Sequence, residues 1–123
     1  MTAKALRDRI VTVLEDGKGH DILALDVSKF TSIADFMVLV SGTSNRHVKA
    51  LVDQVHEAAK EFGEPARGVE GRESYAWVLL DLGDVIVHVM QRDAREFYEL
   101  ERLWADAPIV TFESAQKTET DDL

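Results

Sequence analysis

The sequence predicts a single α/β domain in which helices flank a mixed β-sheet. Its 123 residues suit one compact domain, and 46% of them are hydrophobic while 30% are charged, which is typical of a globular chain with a core. Segments of helical periodicity alternate with short β-type segments, which favours a sheet packed by helices. We expect residues 1–110 to form this domain and residues 111–123 to form a disordered acidic tail.

Three elements are predicted in the first part of the chain. Apolar residues recur at helical spacing from Ala3 to Leu14, which indicates a short amphipathic helix. The segment Asp21–Val27 has the alternation of a strand, with its side chains divided between two faces. The run Phe36–Val40 is apolar without alternation, so we expect both of its faces to be covered and the strand to lie inside the sheet.

Two further helices and a short strand are predicted along the rest of the chain. Ser41–Asn45 offers a tight turn and several helix N-caps, and an apolar helix face follows over Val48–Phe62. Ala66–Val69 is a candidate short strand. A third helix is expected from Ala94 to about Ala105, before Pro108 closes it.

The strongest β signal predicts a hairpin with strands Tyr75–Asp81 and Val85–Met90, joined by Leu82–Asp84. Because alternate residues share a face, one face of the second strand carries only valines and suits a packed core. The other face combines large apolar side chains with one imidazole: Trp77, Leu79, Ile86, His88 and Met90. This second face is either covered by helices or exposed to a partner, and the pattern leaves both alternatives open.

The sequence assembles no catalytic or metal-binding set. It contains no cysteine and shows no close histidine spacing of the kind that binds a metal, so we expect no metal and no cofactor. The hydroxyls of Ser41–Ser44 lie at a strand-to-helix turn, but neither a nucleophile elbow nor a phosphate-binding loop is present, which favours helix capping. Asp81 and Asp84 flank the hairpin tip, where aspartate favours turn geometry.

The charge balance indicates the kind of partner. Asp and Glu number 23 against 14 Lys and Arg, a formal net charge of −9, so we expect no direct sequence-specific binding of nucleic acid. A basic protein surface is the more natural target. The N-terminal residues have neither the apolar run of a signal peptide nor a membrane span, and we expect a cytoplasmic protein that does not contact a membrane.

Three blocks of the sequence resemble the ribosomal silencing factor family, also called the RsfS or Iojap family. The blocks are ADFMVLVSGTSNRHV at residues 34–48, WVLLDLGDVIVHVM at residues 77–90 and REFYELERLWADA at residues 95–107. Their order and spacing follow the family pattern from about Asp21 to Pro108. This resemblance implies a mixed sheet flanked by helices in a nucleotidyltransferase-like fold.

The resemblance also implies a function without enzymatic activity. Members of the family bind the large ribosomal subunit through the ribosomal protein L-fourteen and sterically block association with the small subunit, which represses translation. A role in large-subunit biogenesis is a secondary expectation. By matching motifs, the implied partner-binding residues are Trp77, Leu79, Asp81, His88, Met90, Arg95 and Tyr98. In the last helix, the residues expected in the core are Phe97, Leu100 and Trp104.

Some positions depart from the family pattern, and two other functions stay open. The departures are Phe36, His47, Leu82 and Met90, of which the last two lie in the implied contact region. A nucleotidyltransferase-like enzyme or nucleotide-binding protein is the alternative from another class, although the helix after Ser44 is not followed by the paired carboxylates that a two-metal site needs. The apolar hairpin face offers a third alternative, a homodimer in the free state.

Overall fold

This computed structural model describes residues 1–98 and 107–110 of the chain. The elements in the described part are α1 (Ala3–Asp16), β1 (His20–Asp26), β2 (Phe36–Gly42), α2 (Asn45–Glu61), β3 (Gly68–Glu70), β4 (Trp77–Asp81), β5 (Val85–Gln91) and α3 (Arg92–Tyr98). The predicted acidic tail, and the part of the third helix predicted beyond α3, lie outside the described residues. Helix α3 begins two residues earlier than predicted because β5 runs into it without a loop.

The strands form one sheet in the order β1-β2-β5-β4-β3. Strand β2 pairs with β5 in parallel, whereas the other neighbours are antiparallel, so the sheet is mixed as predicted. Every residue of β2 is buried. The prediction that Phe36–Val40 forms an interior strand covered on both faces is therefore confirmed.

Side-chain caps fix the starts of α1 and α2. The Thr2 hydroxyl accepts a hydrogen bond from the backbone N–H of Ala5 at 3.1 Å, and the Ser44 hydroxyl accepts one from the N–H of His47 at 3.1 Å. Both helices then place their apolar residues on one face of the sheet, in a core that includes Val38, Val87 and other strand residues. We call this the first face. The predicted valine stripe of β5 lies in this core, and all of its members are fully buried.

The predicted hairpin is confirmed, although β4 begins at Trp77, two residues later than predicted, because Tyr75 has a φ of +56°. Trp77 pairs with Met90, and Leu79 pairs with His88. At the tip, Leu82 N–H donates to the backbone oxygen of Val85 at 3.0 Å, and Gly83 has a φ of +90°. That left-handed conformation favours glycine because it carries no Cβ. The opposite stripe of each hairpin strand points to the second face of the sheet.

The outer edge of β1 is covered by a short segment near the end of the described chain. Ile109 pairs with Leu25. The N–H of Asp26 donates to Pro108 at 2.9 Å, and the N–H of Val110 donates to Ala24 at 2.9 Å. Pairing of this kind satisfies backbone groups that an open edge would leave exposed. The sequence pattern indicated only a helix end at Pro108 and gave no sign of this pairing.

Candidate functional site

The second face of the sheet is covered over β5 and more open over β4 and β3. Along β4, Trp77, Leu79 and Asp81 are half-buried, while the residues between them are buried. Leu79 lies between His88 on β5 and Glu70 on β3 in the strand register. Glu70 is exposed. We call the surface formed by Glu70, Trp77, Leu79 and Asp81 the β3–β4 face.

A shallow cavity of about 350 Å³ lies on the β3–β4 face, lined by Glu70, Gly71, Trp77 and Leu79. Gly71 has a φ of +97°, and a Cβ at this position would overlap the backbone oxygen of Trp77. Glycine therefore allows the loop before β4 to approach the strand closely. Glu70 and Gly71 were not predicted as site residues, because the candidate strand Ala66–Val69 ended one residue before Glu70, where β3 ends.

Trp77 is hydrogen-bonded to a buried histidine beneath it. Its Nε1–H donates to Nδ1 of His88 at 2.9 Å, and the two ring centroids are 5.8 Å apart. His88 is 5% exposed, and burial lowers the pKa of its imidazole from 6.5 to about 4. The ring is thus neutral near pH 7. Because Nδ1 accepts a hydrogen bond, the proton of the neutral ring resides on Nε2.

Asp81 serves the hairpin turn as well as the surface. Its Oδ1 accepts a hydrogen bond from the N–H of Gly83 at 2.8 Å. This contact is the turn role that the sequence favoured for Asp81. The carboxylate is half-buried, so it contributes negative charge at the end of the β3–β4 face.

The hairpin's second face was expected to be either covered or exposed. It is covered over β5 and partly exposed over β4. Ile86, His88 and Met90 of β5 are buried, and Met90 packs in a cluster that also contains Leu39 and Ala107. Trp77 and Leu79 of β4 stay partly accessible. His88 and Met90, which the family resemblance implied as partner contacts, therefore lie beneath the surface, and their contact with a partner stays a prediction.

Arg95, from the start of α3, is also buried. Its Nη1 donates to the backbone oxygen of Asp21 at 2.6 Å and to the Ser41 hydroxyl at 3.0 Å. Arg95 thereby ties α3 to β1 and β2, and its implied contact with a partner stays a prediction. The side chains of Tyr98 and Phe97 lie outside what the structure describes, as do residues 100 and 104, expected in the core.

The hydroxyl-rich turn between β2 and α2 has structural contacts. Ser44 caps α2, and Ser41 is bound to Arg95. The Nδ1 of His47 accepts from the N–H of Thr43 at 2.9 Å, and its Nε2 donates to the Gly17 oxygen at 2.9 Å. These contacts match the helix-capping interpretation of the turn.

Residues 1–98 and 107–110 carry neither a cluster of metal-ligating side chains nor a membrane-spanning helix. This part of the chain contains no group of three or more His, Cys, Asp or Glu side chains that could hold a metal ion. None of its helices has the length and apolar character that a membrane span requires.

The fold and the site define a small α/β domain whose sheet is packed by helices on one face and half-open on the other. The family model described as "Ribosomal silencing factor during starvation" matches residues 1–122. The chain belongs to this family, RsfS. The predicted resemblance is confirmed, and the match includes the N-terminal helix.

Known relatives agree with this assignment. The protein named Ribosomal silencing factor RsfS from Chromobacterium violaceum is 50% identical over 94 residues, which cover 76% of this chain and 77% of that protein. The Mus musculus protein named Mitochondrial assembly of ribosomal large subunit protein 1 is 33% identical over 100 residues, covering 79% of this chain and 44% of that protein.

A solved structure confirms the predicted fold class. The crystal structure of a Chromobacterium violaceum protein aligns with a TM-score of 0.84 at 42% identity, and the alignment covers 95% of this chain and 98% of that one.

Proposed function

We propose that this chain binds the large ribosomal subunit through the ribosomal protein L-fourteen and sterically blocks association with the small subunit. Bound there, it represses translation. The family match over residues 1–122 carries the proposal. Exclusion of one subunit by a bound protein makes and breaks no covalent bond, so the proposed function is not enzymatic and needs no cofactor. It belongs to the cytoplasm, where subunits join.

The β3–β4 face supports this function physically. It joins two large apolar side chains, Trp77 and Leu79, to the carboxylates of Glu70 and Asp81. Tryptophan in a partly desolvated pocket is a frequent source of binding energy, and surrounding charges set encounter rate and specificity. A net charge of −9 suits a basic ribosomal protein.

The implied partner-binding residues divide into two groups in this proposal. Trp77, Leu79 and Asp81 contact the partner directly, since their side chains are half-buried on the β3–β4 face. His88 and Met90 are buried and support the surface from within, whereas Arg95 is buried and ties α3 to β1 and β2. Tyr98 stays a proposed contact on the family resemblance alone.

Sedimentation with isolated large and small subunits tests the proposal. We expect the protein to migrate with the large subunit and to reduce the yield of joined ribosomes when the small subunit is added. Migration with neither subunit would refute the proposal. Binding to the large subunit without any effect on joining would refute the steric mechanism alone.

A role in large-subunit assembly is a second candidate, favoured by the name of the mouse relative. Cells that lack this chain would then accumulate precursors of the large subunit. Normal subunit profiles, together with excess joining, would leave silencing as the function. Nucleotidyl transfer is not proposed, because the hydroxyls of Ser41 and Ser44 already bind Arg95 and the N-terminus of α2.

We also propose that two free copies pair through the β3–β4 face, so that the dimer must open before it binds the ribosome. The mass in solution would then rise with protein concentration. Trp77→Glu would return it to that of a monomer by placing a charge in the interface. A constant monomer mass at high concentration would contradict pairing.

A further inference from the structure

We propose that His88 is a positioning residue, which holds the Trp77 indole in its binding orientation without touching the partner. This inference rests on the proposed function of the β3–β4 face. It assigns His88 a role different from the direct contact that the family resemblance implied. The role is an indirect one, because the side chain acts through Trp77.

The geometry joins the two residues across the hairpin. In the strand register His88 faces Leu79, and Trp77 faces Met90, so His88 and Trp77 are diagonal neighbours on the same face. The 2.9 Å hydrogen bond from Nε1 of Trp77 to Nδ1 of His88 fixes the direction of the indole. The indole and imidazole planes are inclined to each other by 42°, so the two rings are not stacked and the hydrogen bond sets their arrangement.

The surroundings of His88 keep its imidazole an acceptor. Its register neighbours are Leu79 on β4 and Leu39 on β2, and both are apolar. Burial disfavours the imidazolium, which has two N–H donors and no free lone pair. The neutral ring therefore offers Nδ1 to the indole N–H over the pH range in which cells live.

A fixed indole lowers the cost of binding. A tryptophan held in one rotamer in the free protein loses less side-chain freedom when the partner docks. Its N–H would also lose an acceptor if His88 were apolar, which favours other orientations of the ring. Loss of this hydrogen bond should weaken binding by roughly threefold to tenfold, which is the effect of ordering one side chain.

The test combines affinity for the large subunit with an NMR signal from the indole N–H. His88→Leu removes the acceptor, whereas His88→Asn restores one, since the amide oxygen of asparagine takes the place of Nδ1. The resonance of Trp77 is assigned by its absence in Trp77→Phe. We expect His88→Leu to shift that resonance and weaken binding about threefold to tenfold, and His88→Asn to recover much of both.

A double-mutant cycle separates positioning from a general effect on the fold. In the Trp77→Phe background, which lacks the donor, His88→Leu should cause little further loss of affinity. An equal loss in both backgrounds would overturn the proposal, as would unchanged affinity in His88→Leu. If His88→Leu does not fold, wild type is compared with His88→Asn and Trp77→Phe. A His88→Asn variant that shifts the Trp77 resonance but keeps full affinity for the large subunit would overturn the proposal that His88 positions Trp77. Absence of wild-type binding would refute the proposed function itself.

Discussion

His88 couples the protonation of one side chain to the stability of the fold. Its pKa is about 4 in the folded protein, against 6.5 for the exposed ring. Between these pH values the unfolded chain binds more protons than the folded one, so stability falls as pH decreases from about 6.5 to about 4. The shift corresponds to about 3 kcal/mol at most. Below pH 4 this contribution no longer changes.

Urea unfolding at about pH 7 and about pH 4.5 measures this effect. His88→Asn should show a smaller loss of stability between the two values, because it removes the titrating ring. The pKa of Asp26 is lowered by hydrogen bonds from Ser28, so this carboxylate loses its contribution to folding stability only at more acidic pH. An unchanged pH dependence in His88→Asn would show that other groups cause the loss.

Trp77 is the residue from which we expect the largest contribution to ribosome binding. Trp77→Ala should weaken binding to the large subunit by about 2 kcal/mol, or roughly 30-fold, because it removes the largest side chain of the β3–β4 face. Phe30→Ala is the matched control. That phenylalanine is 49% exposed but lies in the loop after β1, outside the β3–β4 face.

Cosedimentation at several protein concentrations measures both variants, and circular dichroism checks their folding. Equal loss of binding in Trp77→Ala and Phe30→Ala would contradict a specific role for the β3–β4 face. Global unfolding of Trp77→Ala would show that the indole acts mainly as core.

At the scale of elements, the close approach of the loop before β4 depends on one glycine. Gly71→Ala would place a Cβ against the Trp77 backbone at a φ of +97°. We expect it to destabilise the protein by about 2 kcal/mol and to displace Trp77. Gly68→Ala, two strand positions before Glu70, meets nothing within 4 Å and should change stability by less than about 0.5 kcal/mol.

Urea unfolding compares the two alanine variants, and the Trp77 indole resonance reports the geometry of β4. Similar stability in both would show that the loop relaxes without cost. A Gly71→Ala variant that is as stable as wild type but binds the ribosome more weakly would show that the shape of the cavity affects binding independently of the stability of the fold.

Local sequence patterns predicted the strand faces that are buried along their whole length. The apolar run of β2 indicated burial on both faces, and the alternation of β4 and β5 gave the hairpin and its valine core. The division of the second face could not be read from alternation, because Trp77 and Met90 have similar apolarity. Their different burial arises from strand order, which places β5 inside the sheet and β4 beside its edge strand.

Residues distant in sequence explain what else was missed in the candidate site. The family resemblance implied only a partner contact for Arg95, yet its hydrogen-bond partners on β1 and β2 are 74 and 54 positions away. Likewise, the cover on β1 comes from Pro108–Val110. Such pairings depend on the tertiary arrangement and leave little local signal.

At the scale of the whole molecule, the two faces of the sheet have separate tasks. The first face is packed by α1 and α2 and supplies the core, while the second face is closed over β5 and accessible over β4. A surface built on strands of a packed sheet keeps its shape without help from the partner. We expect the acidic charge of the chain to act mainly on encounter with a basic surface.

We expect the position of the negative charges to affect association with the large subunit more than the net charge of the chain does. Residues 111–123 carry four carboxylates and one lysine, so their deletion leaves a net charge of −6. We expect that deletion to change association with the large subunit little. Glu70→Gln with Asp81→Asn removes only two charges, but from the β3–β4 face itself, and should slow association roughly threefold to tenfold at low salt. Asparagine keeps the Oδ1 acceptor for Gly83, so the hairpin tip is preserved.

Stopped-flow association at several salt concentrations tests the two variants side by side. The double variant should also show a weaker salt dependence than wild type, because fewer charges steer the encounter. Dissociation should change less than association. If deletion of residues 111–123 slowed association as much as the double substitution, net charge rather than the β3–β4 face would direct the encounter. If neither change altered the rate, the acidic face would have no part in finding the ribosome.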